Sequence, residues 1–176
     1  MSERYIERLK SMVFNRVLLA ISVLTVFFSS CGYYSFSGSI PSDIKTIAVP
    51  LFDDNTSFPG VREDLTNDII DAFINDNVLQ VVPESNADLL ITGTILSINE
   101  KAAIITTGET VEQYEVYVNV KVKCLEVKSG KVWWEKTLSR FGTMGGLDNI
   151  DERNQAINVA LNDITQDVLD NTLANW

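Results

Sequence analysis

The chain predicts an α+β domain in which two amphipathic helices pack on one face of a mainly antiparallel sheet, behind a targeting segment. Three observations carry the prediction. Val116, Val118, Val120, Val122 and Cys124 alternate with Tyr117, Asn119, Lys121 and Lys123, which marks a strand with one buried and one polar face. Two stretches, residues 61–75 and the segment running from Asp148 or Asn149 toward Trp176, repeat apolar residues at helical spacing. The elements run strand, helix, several strands, helix, an order that suits helices layered on one side of a sheet.

Each element has its own signal. Gly32–Pro41 (GYYSFSGSIP) reads as an extended lead, and Lys45–Leu51 (KTIAVPL) as a short β-branched strand stopped by Pro50. Phe52–Gly60 is turn-rich. In 61–75, Val61, Leu65, Ile69 and Phe73 recur every four residues, while Glu63 and Asp64 complement the dipole of the first turn. Leu79–Val82 and Ala87–Asn99 read as strands, Glu109–Val127 as the strand with the clear alternation, and Ser129-Gly130 as the turn into a returning strand, Lys131–Phe141. Thr143–Leu147 (TMGGL) reads as a flexible loop. Asp148 or Asn149 caps the final helix, with Asp151 or Glu152 three residues on and a stripe of Ile157, Ala160, Leu161, Ile164 and Val168.

Composition narrows the function. The chain has 176 residues, with 14 Lys+Arg, 24 Asp+Glu and a net charge of −10. Arg4, Arg8, Lys10 and Arg16 outweigh Glu3 and Glu7, so the part from Cys31 onward is more acidic still. Such a surface repels nucleic acid and anionic headgroups except at a local basic patch. Without histidine there is no Ser-His-Asp or Cys-His catalysis and no His-ligated metal. No nucleophile–base pair, phosphate loop or metal constellation is present, so the chain reads as neither enzyme nor cofactor carrier. Asp53-Asp54-Asn55 lacks the spaced ligands of a calcium loop and reads as turn chemistry.

Residues 1–16 are polar and basic, and Val17–Phe28 (VLLAISVLTVFF) is an uncharged apolar run too short to span a bilayer but suited to a signal-peptide core. Small Ser29 and Ser30 then lead to Cys31. Phe28-Ser29-Ser30-Cys31 resembles the bacterial lipobox, with Phe28 and Ser30 departing from its usual Leu and Gly or Ala. The expected organisation is therefore a cleaved signal peptide over 1–30, a lipidated N-terminus and linker over 31–41, and a single domain over 42–176. Several acyl chains on Cys31 give stable membrane anchoring. They also leave Cys124 without a disulfide partner, as a buried, inert thiol on the valine face.

The mature segments then resemble, in order, the LptE family of lipopolysaccharide-assembly lipoproteins. The likeness runs through Cys31–Gly38 (CGYYSFSG), Ile44–Phe52 (IKTIAVPLF), Asp53–Thr56, Leu65-Thr66-Asn67, Ala87-Asp88-Leu89 with Gly93-Thr94-Ile95, and Gly130–Glu135 (GKVWWE). The resemblance implies a four-stranded sheet under two helices. It also implies an outer-membrane lipoprotein, anchored on the periplasmic side, that plugs an LptD-like β-barrel translocon, supports its assembly and helps deliver lipopolysaccharide to the surface. An outer-membrane lipoprotein acting as pilot or subunit of a secretion pore is the competing reading, since the strand IAVP recurs there.

Candidate contacts follow from residue chemistry. Lys121 and Lys123 on one strand, and Lys136 and Arg140 on the next, are candidates for a basic patch that takes lipid A phosphates. The alternative is an ordinary solvated face. Tyr33, Tyr34 and Phe36 suit a membrane interface, a barrel wall or the edge of the domain's own core. Trp133 and Trp134 point to opposite faces, so at most one lies in the core.

Overall fold

The first helix forms where its apolar period predicts. In the computed structural model, which describes residues 40–105 and 111–174, the elements are β1 (Thr46–Ala48), β2 (Asp53–Asp54), α1 (Val61–Asp76), β3 (Gln80–Val81), β4 (Leu89–Ile105), β5 (Val111–Glu126), β6 (Val132–Met144) and α2 (Ile150–Leu173). The expected signal segment, Cys31 and Tyr33, Tyr34 and Phe36 lie outside the described residues. Val61, Leu65, Ile69 and Phe73 are all buried, and Asn77, at φ 58°, ends α1 in the left-handed conformation with its N–H on the Phe73 carbonyl. At the start of α2, Asn149 is the cap. Its Oδ1 accepts from the Asp151 and Glu152 amides at 3.1 and 3.2 Å, and its own amide donates to Glu152 Oε1 at 2.8 Å.

The two helices cover one face of a six-stranded sheet ordered β3-β1-β4-β5-β6, with β2 paired to β4. Here the expectation of four mainly antiparallel strands is corrected. β4, β5 and β6 form an antiparallel meander, but β1 pairs with β3 and β4, and β2 with β4, all in parallel. The physical reason is connectivity: α1 carries the chain from one end of the sheet back to the other, and a helical crossover returns a strand in the parallel sense. The parallel strands are only two or three residues long, too short to show a period in the sequence. Thr143 and Met144, read as loop, belong to β6, where they pair with Glu115 and Tyr114.

The core lies between helices and sheet. Val116, Val118, Val120, Val122 and Cys124 are completely buried, as the alternation predicts. Ile47, Leu89, Ile91 and Ile95 continue this layer, as do Trp134 and Leu138. Two glycines set the closeness of packing. A Cβ on Gly93 would stand 2.1 Å from the Phe52 ring, and one on Gly142 would stand 2.1 Å from the Ala156 carbonyl oxygen of α2. Burial pushes the Cys124 thiol up to about 12, so it carries no thiolate at neutral pH.

The start of the sheet is clasped by one carboxylate. Asp88 Oδ2 accepts from the Lys45 and Thr46 amides at 3.0 and 3.2 Å and from the Thr46 hydroxyl at 2.9 Å. Its Oδ1 pairs with Lys128 Nζ at 3.0 Å. These donors hold Asp88 well below the usual carboxylate range, the Lys45 amide contributing most. Among the described residues no helix is long and apolar enough to cross a membrane.

Candidate functional site

The helices leave the other face of the sheet open, and the register determines what stands on it. Directly paired residues share a face. Starting beside β1, the first row is Leu90, Leu125 and Val132, with Trp133 bulged next to it. The next rows are Thr92–Lys123–Glu135 and Asp53–Thr94–Lys121–Thr137. Beyond a bulge in β4 come Ser97–Asn119–Ser139 and Asn99–Tyr117–Phe141, then Lys101–Glu115–Thr143.

The rows differ in chemistry. Leu90, Leu125 and Trp133 are half-buried and Val132 is exposed. Lys121 Nζ pairs with Glu135 Oε1 at 2.7 Å, and this hydrogen bond holds the Glu135 carboxyl below its ordinary value. In the fourth row Ser97 Oγ accepts from the Asn99 and Asn119 side-chain amides at 2.9 and 3.0 Å. Tyr117 and Phe141 lie across from each other with ring centroids 5.2 Å apart, and Lys101 Nζ stands 4.5 Å over the Tyr117 ring. The Tyr117 hydroxyl donates to Glu115 at 2.7 Å, which raises its own pKa.

The four candidate cations are not brought together. Lys121 and Lys123 stand on the open face. Lys136 pairs with Val122 and Arg140 with Val118, so both belong to the helix-facing side. They sit on the edge strand and reach outward to the rim of α2. Lys136 donates to Asn171 Oδ1, and Arg140 pairs with Asp167 at 2.7 Å, which raises the Arg140 pKa. Trp134 is the buried tryptophan of the pair, its indole N–H donating to the Thr172 hydroxyl at 3.2 Å, and Trp133 is half-buried at the bulge, where it packs against the core cluster.

Sequence reasoning put Tyr117 and Asn119 on the polar face but missed Ser97, Asn99, Lys101 and Phe141. The signal that finds them is hairpin register, which alternation within one strand does not contain. The loop Asp53-Asp54-Asn55 is turn chemistry, with Asp54 Oδ1 accepting from the Thr56 amide at 2.7 Å. A cavity of about 520 Å³ opens between the first turns of α1 and α2, floored by Val61 and Ile157. The arginine lining it, Arg153, is already bound to Glu100 and to the Leu147 carbonyl. Among the described residues no group of three or more acidic, cysteine or histidine side chains converges as a metal site. The open face presents cations, amides, hydroxyls and aromatic rings.

Known proteins share this architecture. The structure is similar to protein XCC0632 of Xanthomonas campestris, with 13% identity over 78% of this chain and 89% of that one, at a TM-score of 0.60. The PelC dodecamer subunit of Paraburkholderia phytofirmans matches with 16% identity over 80% and 95% of the two chains, at 0.53. A minor lipoprotein of Acinetobacter baumannii matches with 14% identity over 74% and 94%, at 0.51. At these identities the likeness is one of fold. No curated protein matches the chain by sequence. The lipopolysaccharide-assembly family model, LptE, matches residues 44–172, nearly the whole folded part and most of the chain. The segments noted above as resembling that family run in order through this span, and the chain belongs to the LptE family of lipopolysaccharide-assembly proteins.

Proposed function

We propose that the mature protein is an outer-membrane lipoprotein that seats in an LptD-like β-barrel, supports the barrel's assembly and assists delivery of lipopolysaccharide to the cell surface. The observation that carries this reading is the family match across residues 44–172. In it the protein works by binding and placement and breaks no bond. Cys31 carries the acyl chains that hold it to the inner leaflet of the outer membrane. Tyr33, Tyr34 and Phe36, which follow the anchor, rest at the membrane interface or on the barrel wall.

Of the four candidate cations, Lys121 and Lys123 meet lipid A phosphates, because they stand on the face that no helix covers. Lys136 and Arg140 stay with Asn171 and Asp167 and fix the last turns of α2 against the edge strand.

The decisive experiment is co-purification from detergent-solubilised membranes. A large β-barrel retained in stoichiometric amount is the expected result. Retention of a ring-forming secretin instead, or normal surface lipopolysaccharide after depletion of the protein, overturns the reading. A Cys31→Ala variant is expected to leave the membrane fraction, and one that stays attached overturns the anchor.

A further inference from the structure

The cavity of about 520 Å³ between the first turns of α1 and α2 has a lining of one chemical sense. Its floor is apolar, made by Val61 of one helix and Ile157 of the other, both part of the core. Asp64, Asn154 and Asn158 also line it, and their side chains make no hydrogen bond or ion pair among the described residues. The lining cation, Arg153, is held by Glu100 and by the Leu147 carbonyl. The cavity therefore offers one free carboxylate and two free carboxamides above an apolar floor. We propose that it takes one arginine side chain from a loop of a partner protein. The methylene stem lies on Val61 and Ile157, and the guanidinium lies between Asp64 and the carboxamide oxygens of Asn154 and Asn158. The proposal rests on the barrel reading above for the identity of that protein and adds the place where it is gripped.

Charge sets the sign of the ligand. Each helix carries five carboxylates against one arginine, and both arginines are paired, Arg62 with Glu63 and Arg153 with Glu100. The first turns hold Glu63, Asp64, Asp151 and Glu152. Set against the two arginines, these leave two carboxylates, which outweigh a dipole charge of about +0.5 at each helix N-terminus. A cation is drawn to the cavity and an anion is repelled.

Shape sets which cation. The free acceptors stand on two helices, Asp64 on α1 and the two asparagines on α2. A guanidinium spreads five N–H donors in a planar fork and serves both walls, whereas an ammonium is a compact, strongly hydrated point charge. A long aliphatic stem buries itself on apolar surface while its charged head stays at the polar rim. Ile150, 65% exposed, and the half-buried Phe58 add apolar lining. A free polyamine leaves that lining bare, while the residues flanking an arginine in a protein loop cover it.

NMR titration of the full mature chain in detergent tests the proposal, read at the side-chain amides of Asn154 and Asn158. The probes are the capped peptide acetyl-Leu-Arg-Leu-amide and its analogues with lysine or with citrulline, which keeps the shape of arginine without its charge. Saturable shifts with the arginine peptide are expected, with the lysine peptide weaker and the citrulline peptide weaker by about fivefold. Asp64→Asn is expected to lower affinity for the arginine peptide by about fivefold as well. The pair Asn154→Ala, Asn158→Ala, read at backbone amides of α2, is expected to weaken it with the urea midpoint unchanged, since both side chains are exposed.

Equal binding of the arginine and citrulline peptides, a lysine peptide that binds as tightly, or unchanged affinity in both variants would overturn the proposal. In intact membranes, a photocrosslinking residue at position 150 is expected to join the chain to an arginine-containing peptide of the barrel. An adduct on a barrel peptide without arginine also overturns it. The titration needs no barrel, so the two readings fail separately. Saturable arginine binding by a chain that co-purifies no barrel refutes the barrel reading and leaves the pocket standing. A barrel retained by a chain that does not distinguish arginine from citrulline refutes the pocket alone.

Discussion

The two faces of β5 differ by one residue step and obey different rules. Val120, Val122 and Cys124 are sealed under the helices, whereas Lys121 and Lys123, their immediate neighbours, stand on the uncovered side. On the covered face every atom has a neighbour, so a change of one methyl is felt. On the open face side chains end in water or on one another, and the residue types are free to serve a ligand. The same backbone thus supplies a rigid support on one side and an uncovered surface on the other. Substitutions in pairs across the sheet test how complete that division is.

The largest expected difference is between the two adjacent tryptophans. Trp134 is buried against α2 and donates to Thr172, which in turn donates to the Val168 carbonyl at 2.7 Å. Trp134→Ala is expected to cost about 4 kcal/mol, read as a shift of the urea midpoint. Trp133→Ala, at the half-buried bulge, is expected to cost less than half as much. Equal losses would mean that the bulge is as tightly packed as the covered face.

Gly142→Ala is expected next, at about 3 kcal/mol, although it adds a single carbon. That carbon would sit 2.6 Å from the Ala156 Cα, and backbone does not swing aside as a flexible side chain does. Gly130 has nothing within 4 Å of such a carbon, but its φ of 69° penalises alanine for a separate, conformational reason. Thermal melts of Gly142→Ala, Gly130→Ala and the parent separate packing from backbone strain. A Gly142→Ala protein as stable as the parent would show that α2 shifts at little cost.

Asp88 belongs to neither face, since it clasps β1 to β4 at their common start. Asp88→Ala is expected to cost about 2 kcal/mol, as several donors lose a charged acceptor. Its pKa is lower folded than unfolded, so the carboxylate contributes stability that is complete above the unfolded value of about 3.9 and is lost as pH falls toward the folded value. Urea midpoints measured between pH 6 and pH 3 should therefore fall more steeply in the parent than in Asp88→Asn below about pH 4. Parallel profiles would remove Asp88 from the account of acid sensitivity.

Much of the division between faces was legible in the sequence, for identifiable reasons. The alternation through residues 116–124 is long enough that a one-residue slip would expose five apolar side chains, so one register is forced. The stripes of α1 and α2 are legible on the same grounds. The parallel strands β1, β2 and β3 owe their sense to the path of α1 rather than to their own residues. The cations of β6 were misplaced relative to those of β5 for a related reason. Lys136 and Arg140 do share a face, but which face depends on the hairpin register, and the bulge at Trp133 sets Trp134 against Cys124. Nor does composition reveal why Gly93 and Gly142 are glycine, because the atoms they make room for, in Phe52 and Ala156, are distant in sequence.

The smallest stability effect is the one that most sharpens the contrast between faces. Lys121→Ala removes an exposed ion pair with Glu135, and such pairs contribute little to stability. The melting midpoint is expected to move by no more than about 2 °C. The same substitution removes one cation from the open face and leaves the Glu135 carboxylate facing Lys123 alone. Affinity for an anionic ligand should then fall even though the fold is untouched, and Lys121→Ala combined with Glu135→Ala should recover part of it. If instead the single substitution lowered the midpoint as far as Gly142→Ala does, the open face would be part of the structural core, and its lysines would have to be explained by folding.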